Sequence, residues 1–348
     1  MPLPNPAAAF LEEGSDHMIL RKPEYFDSFR CLAGACPDSC CHQWEVQVDA
    51  ETAERYRALS GPLGEELRKA LCSREGETFM TLREGKCPMW RSDGLCRIQA
   101  ELGEEGLCRV CREFPRLHHD YGDFVELILE MSCPEAARWI FQDAGEWVER
   151  EIPGGGEAEY DRKDMALLLS SRKEAMALLN GSALPEEALA KLLLLGVRTQ
   201  KRLDGGDGEE ISMDGIPASA EPGSIREIAG FFRDLEILTP RWRELLDTAS
   251  PGPMPGEVIP FDRYLVTRYW LQAVSDLDLY GRVKFMVVSS LLVSSLAGNF
   301  RDNAQLWSKE IENDPDNLDA ILDGTYEYGG FADRKLLGLL LGKVEKPV

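Results

Sequence analysis

The sequence predicts a mainly α-helical protein whose N-terminal part is a cysteine-rich metal-binding domain with short strands. The first observation behind this prediction is that all ten cysteines fall between Cys31 and Cys133. The second is that, from Tyr160 onward, segments such as MALLLSSRKEAMALLN and PEEALAKLLLLGVRTQKRL carry apolar residues three and four positions apart, which is the spacing of an amphipathic helix. The chain therefore divides into a thiol-rich part and a helical part.

The expected domain boundaries follow from glycine-rich and acidic segments. Glycines 154 to 156 after Pro153 predict a turn or linker, and the segment DGGDGEEISMDGIPASAEPG has the polar composition of a mobile loop. We predict a flexible N-terminus over residues 1–20, a metal-binding domain over 21–152, and a helical domain over 153–348 with the mobile acidic loop near 204–223.

Local signals predict several elements of the first domain. Asp49 follows a short alternating strand around Val46 and is placed to cap the helix that comes next. The turn sequence SerAspGly at 92–94 predicts a hairpin. Such a hairpin would bring Cys87 and Cys96 together as a pair of metal ligands.

Two further segments are predicted to be helices. The stretch SCPEAARWIFQDAGEWVERE is expected to begin a helix after Pro134, since proline is favoured in the first helical turn. The most apolar stretch, FMVVSSLLVSSLAG, has 14 residues, whereas a membrane span needs about 20. It therefore predicts a buried helix, and we expect no transmembrane segment.

The composition and net charge limit the kinds of partner that the protein is expected to bind. A chain of 348 residues with 44% hydrophobic residues can bury a sizeable core. The net charge of −22 argues against a nucleic-acid partner, because neutralising phosphates takes surplus lysine and arginine. The acidic surface keeps the protein soluble, and it could also attract cationic groups such as substrate lysines.

The cysteines indicate metal binding rather than disulfides. Disulfide frameworks are typical of small secreted domains, and the start MPLPNPAAAFLEEGSDHM lacks the charged and apolar regions of a signal peptide. We therefore expect a cytoplasmic protein, in a reducing compartment where clustered thiols usually bind metal.

Zinc and an iron–sulfur cluster remain open on spacing alone. Structural zinc sites favour two CxxC hooks, and only Cys108 and Cys111 make one here. The adjacent Cys40 and Cys41 point in different directions in most backbone conformations. Iron–sulfur clusters accept irregular cysteine spacing, because they are larger than one ion, so the pattern favours iron–sulfur over zinc.

The cysteine pattern resembles a known family. Its order is CxxxxCxxxCCxxW, a cysteine-proline pair, DGLCRIQAELGEE, CREFPR and SCPEAAR. In order and flanking residues this is similar to the flagellin lysine-N-methylase family and the wider zinc- or iron-chelating cysteine-cluster proteins. The match extends over about residues 25 to 140, and the later helical segments resemble the family less distinctively.

The resemblance implies a cytoplasmic enzyme that transfers a methyl group from S-adenosylmethionine to lysine side chains of flagellin and depends on a 4Fe-4S cluster. The metal-site residues that it implies are Cys31, Cys36, Cys40, Cys41, Cys87, Cys96, Cys111 and Cys133. Cys72 and Cys108 fall outside the family pattern. The alternative is a non-catalytic protein in which zinc or an iron–sulfur cluster stabilises the fold or a partner site.

The sequence names no catalytic residue and no S-adenosylmethionine site. It contains no GxGxxG after a strand, and the CxxxCxxC signature of radical enzymes is absent because Cys41 follows Cys40 directly. Methylation by displacement needs a neutral amine, and free lysine has a pKa of about 10.4. We therefore expect the reactive lysine to enter an apolar opening beside the cluster. Its expected lining is Tyr25, Phe29, Trp44 and Trp90.

Overall fold

The computed structural model describes residues 17–143, 145–207 and 220–342. The mobile acidic loop was predicted near 204–223, and most of that stretch lies outside the described residues, as does the N-terminal stretch before His17. The strands are β1 His17–Pro23, β2 Val46–Gln47, β3 Leu71–Arg74, β4 Glu77–Met80, β5 Arg116–Asp120, β6 Phe124–Leu129 and β7 Trp147–Pro153.

Helices dominate the described part of the chain, as the sequence predicts, and most of them follow the strands. The helices that lie among the strands are α1 Ala50–Ala58, α2 Gly61–Ala70, α3 Arg97–Leu102, α4 Arg109–Glu113 and α5 Pro134–Ile140. The helices that follow are α6 Arg162–Gly181, α7 Pro185–Leu203, α8 Ile225–Arg233, α9 Pro240–Asp247, α10 Val258–Tyr269, α11 Leu279–Ser295, α12 Phe300–Ile311, α13 Pro315–Glu327 and α14 Asp333–Leu340.

The first strand, β1, belongs to a four-stranded sheet in the order β5-β6-β1-β7. β1 runs parallel to β6 and antiparallel to β7, which it pairs with along its whole length from His17 to Pro23. The sheet shares its core with the helices, because Phe124 and Leu129 of β6 are buried in the same apolar cluster as α6, α7 and α11. Arg172 of α6 adds a bidentate ion pair to the buried Glu126 of β6, at 2.6 and 2.7 Å.

A second, smaller core lies in the cysteine-rich part. It is formed by the three-stranded sheet β2-β4-β3 and helices α1 and α2, with Tyr56, Leu67 and Met89 among its fully buried side chains. The hydroxyl of Tyr56 donates to the carbonyl oxygen of Gly106 at 2.8 Å, which ties α1 to the segment before α4. Residues predicted as one metal-binding domain are therefore distributed between two cores.

Two local sequence expectations are confirmed, and the start of a third is confirmed as well. Asp49 caps α1 by accepting a hydrogen bond from the backbone N–H of Thr52 at 3.0 Å. The turn at 92–94 forms, since the N–H of Arg91 donates to the carbonyl oxygen of Leu95 at 2.9 Å. The helix after Pro134 is shorter than predicted, because α5 ends at Ile140 and β7 follows.

The most apolar segment forms part of α11, which is buried over nearly all its length. Its residues pack against α7, α10 and α13 in the large core. Among the residues that the structure describes, no helix combines the length and apolarity that a bilayer span requires.

Glu310 of α12 makes the free energy of unfolding depend on pH. Burial raises its pKa to about 7 from an ordinary 4.5, while backbone and hydroxyl donors around Thr239 oppose the rise. The folded state therefore favours the protonated acid, and this stability is present below pH 4.5 and lost as the pH rises through 7. We expect the wild type to lose about 2–3 kcal/mol relative to Glu310→Gln between pH 5 and pH 8.

Urea unfolding of both proteins at the two pH values measures this difference. Comparison within each pH removes the contribution of all other titrating groups, because they are common to both proteins. A stability difference that does not change between pH 5 and pH 8 would show that Glu310 stays ionised in the fold.

Candidate metal centre

Backbone pairing brings the first cysteine loop against the segment that carries Cys87. The N–H of Cys87 donates to the carbonyl oxygen of Cys41 at 2.8 Å, and the N–H of Gln43 donates to that of Gly85 at 2.8 Å. These short antiparallel contacts place Cys41 and Cys87 side by side, although they are far apart in the sequence.

The turn at 92–94 sets the position of Cys96. Trp90 and Cys96 form an isolated antiparallel bridge across this turn. Gly94 has a φ of +80°, and a Cβ there would lie 3.2 Å from the Cα of Gly34, so glycine serves both the turn and the close approach of the first cysteine loop. The hairpin thus carries Cys96 towards the loop that holds Cys31 and Cys36.

Asp49 holds the start of α4, which carries Cys111. One carboxylate oxygen caps α1, and the other accepts from the backbone N–H of Arg109 at 2.9 Å. Burial alone would raise the pKa of Asp49, but these backbone donors lower it to about 2. The carboxylate therefore stays ionised and fixes α4 next to α1 with Cys108 at the N-cap position.

Six thiols form what we call the inner thiol cluster. The Cys41 thiol hydrogen-bonds with the thiols of both Cys40 and Cys87, and the Cys108 thiol hydrogen-bonds with that of Cys111. Cys96 and Cys111 lie close enough to Cys40 and Cys87 that negative charge on those thiols raises the pKa of both. The members of the inner thiol cluster are Cys40, Cys41, Cys87, Cys96, Cys108 and Cys111.

Proton sharing within this cluster favours partial ionisation. The hydrogen bond from Cys41 lowers the pKa of Cys40 to about 7, and that from Cys111 lowers the pKa of Cys108 to about 7. The hydrogen bonds raise the pKa of the donor thiols, Cys41 and Cys111, and burial raises them further. A thiolate is the form of cysteine that binds metal.

Three further thiols lie beside the inner thiol cluster. Burial and, to a smaller extent, the neighbouring Cys36 and Cys31 raise the pKa of Cys133 to about 12. Cys36 in turn lies near Cys31 and Cys40. The eight predicted metal-site residues are thus connected through neighbouring thiols, with Cys31, Cys36 and Cys133 at one side.

All ten cysteines are free thiols. Within the described ranges, no group of three or more histidine, cysteine, aspartate or glutamate side chains has the geometry to hold a metal ion as it stands. The centre is therefore a set of contacting thiols rather than a ready-made site for one ion.

The two cysteines outside the family pattern have different surroundings. Cys72 lies on β3, paired with Phe79 of β4 and beside Arg74. Cys108 is only 2% exposed and shares a hydrogen bond with Cys111. The pattern left Cys108 out, but its CxxC spacing with Cys111 was the sequence signal that could have included it.

The four aromatic residues that were predicted to line the opening lie in two different places. Trp44 and Trp90 lie beside the cysteines, and the indole N–H of Trp44 donates to the carbonyl oxygen of Cys40 at 2.9 Å. Phe29 is 2% exposed in the large core, with the Arg116 guanidinium over its ring, and Tyr25 packs against the same core. The expectation that Phe29 lines an accessible opening is therefore wrong, because its ring is covered.

Helix α12 reaches the first cysteine loop from the helical part of the chain. The Lys309 ammonium contacts both carboxylate oxygens of Asp38, at 2.7 and 2.9 Å, and is almost fully buried. The side-chain amide of Gln305 donates to the carbonyl oxygen of Ser132 at 2.6 Å. Asp38 lies between Cys36 and Cys40, and Ser132 precedes Cys133, so α12 holds both cysteine segments. The sequence analysis did not identify Lys309 or Gln305.

Comparison with known proteins gives the family. The chain is 33% identical over 133 residues to the flagellar biosynthetic protein FliU of Salmonella muenchen. The match covers 36% of this chain and 79% of that protein. This chain belongs to the flagellin lysine-N-methylase family. The relation confirms the resemblance that the cysteine pattern indicated.

Longer members of the family match over the same extent. Proteins named lysine-N-methylase from Salmonella typhimurium and Salmonella choleraesuis are each 33% identical over 133 residues. The match spans about a third of the length of these two methylases and 36% of this chain. No family model and no solved structure matches the chain.

Proposed function

We propose that the protein is a cytoplasmic protein-lysine N-methyltransferase that acts on flagellin, with S-adenosylmethionine as methyl donor and an iron–sulfur cluster bound by the inner thiol cluster. The observation that carries the proposal is the contact of Cys41 with both Cys40 and Cys87 in a chain of this family. Relatives named lysine-N-methylase support the reaction class, and the relative named FliU supports a flagellar substrate.

The donor set fits an iron–sulfur cluster better than one zinc ion. A 4Fe-4S cluster takes four cysteine thiolates and tolerates irregular spacing, and the inner thiol cluster supplies six thiols without a disulfide. A single structural zinc ion favours two CxxC hooks, and only Cys108 and Cys111 form one in this sequence. A cluster bound there would supply iron as a Lewis acid that orients the cofactor.

The protein's own residues have two tasks in this reaction. A lysine amine must lose its proton before displacement, and an apolar surface favours the neutral amine by desolvation. Trp44, partly buried beside the cysteines and in contact with the Phe114 ring, offers such a surface. The acidic charge of the chain attracts lysine-rich segments over longer distances.

A non-catalytic metalloprotein is the second candidate function. The CxxC pair Cys108 and Cys111 is in contact and is the hook typical of zinc sites. Zinc would then stabilise the small core around Met89 and Tyr56, or a partner site next to it.

The test compares Cys41→Ser with Cys72→Ser, a matched substitution outside the inner thiol cluster. Both proteins are purified and reconstituted without oxygen, and iron, sulfide and zinc are counted. We expect the wild type and Cys72→Ser to be brown and to hold iron and sulfide, and Cys41→Ser to lose most of both, because Cys41 contacts two other thiols.

Methyl transfer is then measured on the same samples with labelled S-adenosylmethionine and flagellin. We expect labelling by the wild type and Cys72→Ser, and on the order of a hundredfold less by Cys41→Ser if the cluster is required. Equal labelling by all three would make the cluster dispensable. A colourless wild type that holds zinc and transfers no methyl group would favour the second candidate.

A further inference from the structure

Two buried nitrogen atoms beside the inner thiol cluster have no hydrogen-bond partner in the part of the chain that the structure describes. They are Nε1 of Trp90 and Nε2 of His42. An indole N–H can only donate, and a buried donor without an acceptor costs about 1–3 kcal/mol. The indole N–H of Trp90, and Nε2 of His42 in the tautomer that carries its proton there, indicate an acceptor that the described residues do not supply.

The backbone holds both residues beside cysteines of the inner thiol cluster. The N–H of Trp90 donates to the carbonyl oxygen of Cys87 at 3.0 Å, and Trp90 bridges Cys96 across the turn. His42 directly follows Cys41 and meets the Trp90 ring edge-on, with a centroid distance of 4.6 Å and an angle of 72°. The two unpaired nitrogens therefore belong to one unit whose backbone neighbours are three members of the inner thiol cluster.

Two described groups near Trp90 do not supply the acceptor. The Lys86 ammonium lies 4.6 Å from the centroid of the Trp90 ring, and an ammonium has no acceptor atom. The indole of Trp44, also beside the cysteines, already donates to the carbonyl oxygen of Cys40. An unpaired indole is not decisive by itself, since Trp307 is unpaired as well, but Trp307 lies among phenylalanine rings in the large core.

We infer that Trp90 and His42 donate hydrogen bonds from Nε1 and Nε2 to sulfur atoms of an iron–sulfur cluster bound by the inner thiol cluster. The inference rests on the proposed function. Thiolate and sulfide sulfurs are acceptors that carry negative charge, which makes such hydrogen bonds stronger than those to neutral groups. It places the cluster on the side of the inner thiol cluster that faces these two rings.

Hydrogen bonds to cluster sulfurs tune the reduction potential. Reduction adds negative charge to the cluster, so the reduced form gains more from each N–H donor than the oxidised form does. We expect Trp90→Phe to lower the equilibrium constant for reduction about tenfold, which corresponds to about 59 mV for a one-electron couple.

The experiment uses the full chain with its reconstituted cluster and needs no methylation assay. The potential is measured by redox titration, and exchangeable protons coupled to the reduced cluster are detected by electron–nuclear double resonance in H2O and D2O. We expect Trp90→Phe to lose one exchangeable-proton coupling. His42→Phe should lose another. Trp44→Phe removes an indole N–H that is already paired, so it should keep both couplings. Its equilibrium constant for reduction should stay within about twofold of the wild-type value, which corresponds to about 18 mV.

A second form of the protein separates the hydrogen bond from packing. Replacing Trp90 by benzothienylalanine keeps the ring shape and removes only the N–H, so it should reproduce the shift of Trp90→Phe. A wild type that holds the cluster while Trp90→Phe and the isostere leave the couplings and the potential unchanged would overturn this inference alone. A wild type that assembles no iron–sulfur cluster would overturn the cluster part of the proposed function and this inference with it.

Discussion

Replacing Glu312 by glutamine should destabilise the protein by about 3–5 kcal/mol. The Glu312 carboxylate is fully buried and contacts the Arg268 guanidinium at 3.3 Å, whose side chain is 10% exposed. It also accepts hydrogen bonds from the hydroxyls of Tyr264 and Tyr269, both at 2.7 Å. Glutamine keeps the shape but leaves the arginine charge buried without its counter-ion.

The network around Glu312 explains why water cannot take over its role. Arg268 donates to the hydroxyl of Tyr264 at 2.7 Å, and that hydroxyl accepts from the backbone N–H of Met131 at 3.3 Å. Burial raises the pKa of the nearby Glu130, which weakens it as a substitute counter-ion. The network therefore links α10 and α12 to the end of β6 through one carboxylate.

The matched control is Asp247→Asn, which removes the same charge from a surface ion pair. Asp247 and Arg233 are about half exposed and 3.5 Å apart, and such pairs contribute about 0–1 kcal/mol. Chemical unfolding of the wild type and both variants at one pH measures the difference. A loss below about 1 kcal/mol for Glu312→Gln would show that solvent reaches Arg268.

The sequence predicts those parts of the fold whose signals are local. The cap at Asp49 and the turn before Cys96 each depend on residues within a few positions, and both form as expected. Strand β7 overlaps the end of the stretch SCPEAARWIFQDAGEWVERE, which was expected to start a helix after Pro134. The deciding contacts are its pairs with β1, from His17↔Pro153 to Pro23↔Trp147, which local propensity cannot represent.

The missed turn before β7 did have a signal. The backbone N–H of Gly145 donates to the side chain of Asp143 at 2.9 Å, and Gly145 has a φ of +83°. An aspartate followed two residues later by glycine is typical of a turn. That pair could have ended the predicted helix near Phe141.

Prediction of the site was likewise limited to signals that are local in the sequence. The family pattern names cysteines, because their order is specific, but it contains no information about the helices that hold them. Lys309 reads as an ordinary charged residue of an amphipathic helix, and its partner Asp38 is 271 positions away. Only the fold shows that this lysine is buried against the first cysteine loop.

Lys309→Met should therefore weaken retention of the proposed iron–sulfur cluster about 10- to 100-fold, the range observed when a partner that orients metal ligands is removed. Lys309 fixes Asp38, whose carboxylate also accepts from the backbone N–H of Ser39 at 2.7 Å within the loop that carries Cys36 and Cys40. Methionine keeps the length and apolar stem but removes the ammonium. The loop then loses its anchor to α12 while the Asp38 charge stays near the thiolates.

Iron release to a chelator from the reconstituted protein measures this effect, with Lys191→Met as the matched control. Lys191 pairs with Glu187 on the same helix, α7, away from the cysteines. Lys309→Arg should keep retention within a few-fold, because arginine preserves the charge. Lys309→Met combined with Asp38→Asn should recover part of the loss, because no unpaired charge remains beside the loop. Iron release from Lys309→Met at the wild-type rate would mean that α12 packs against the cysteine loop without orienting it.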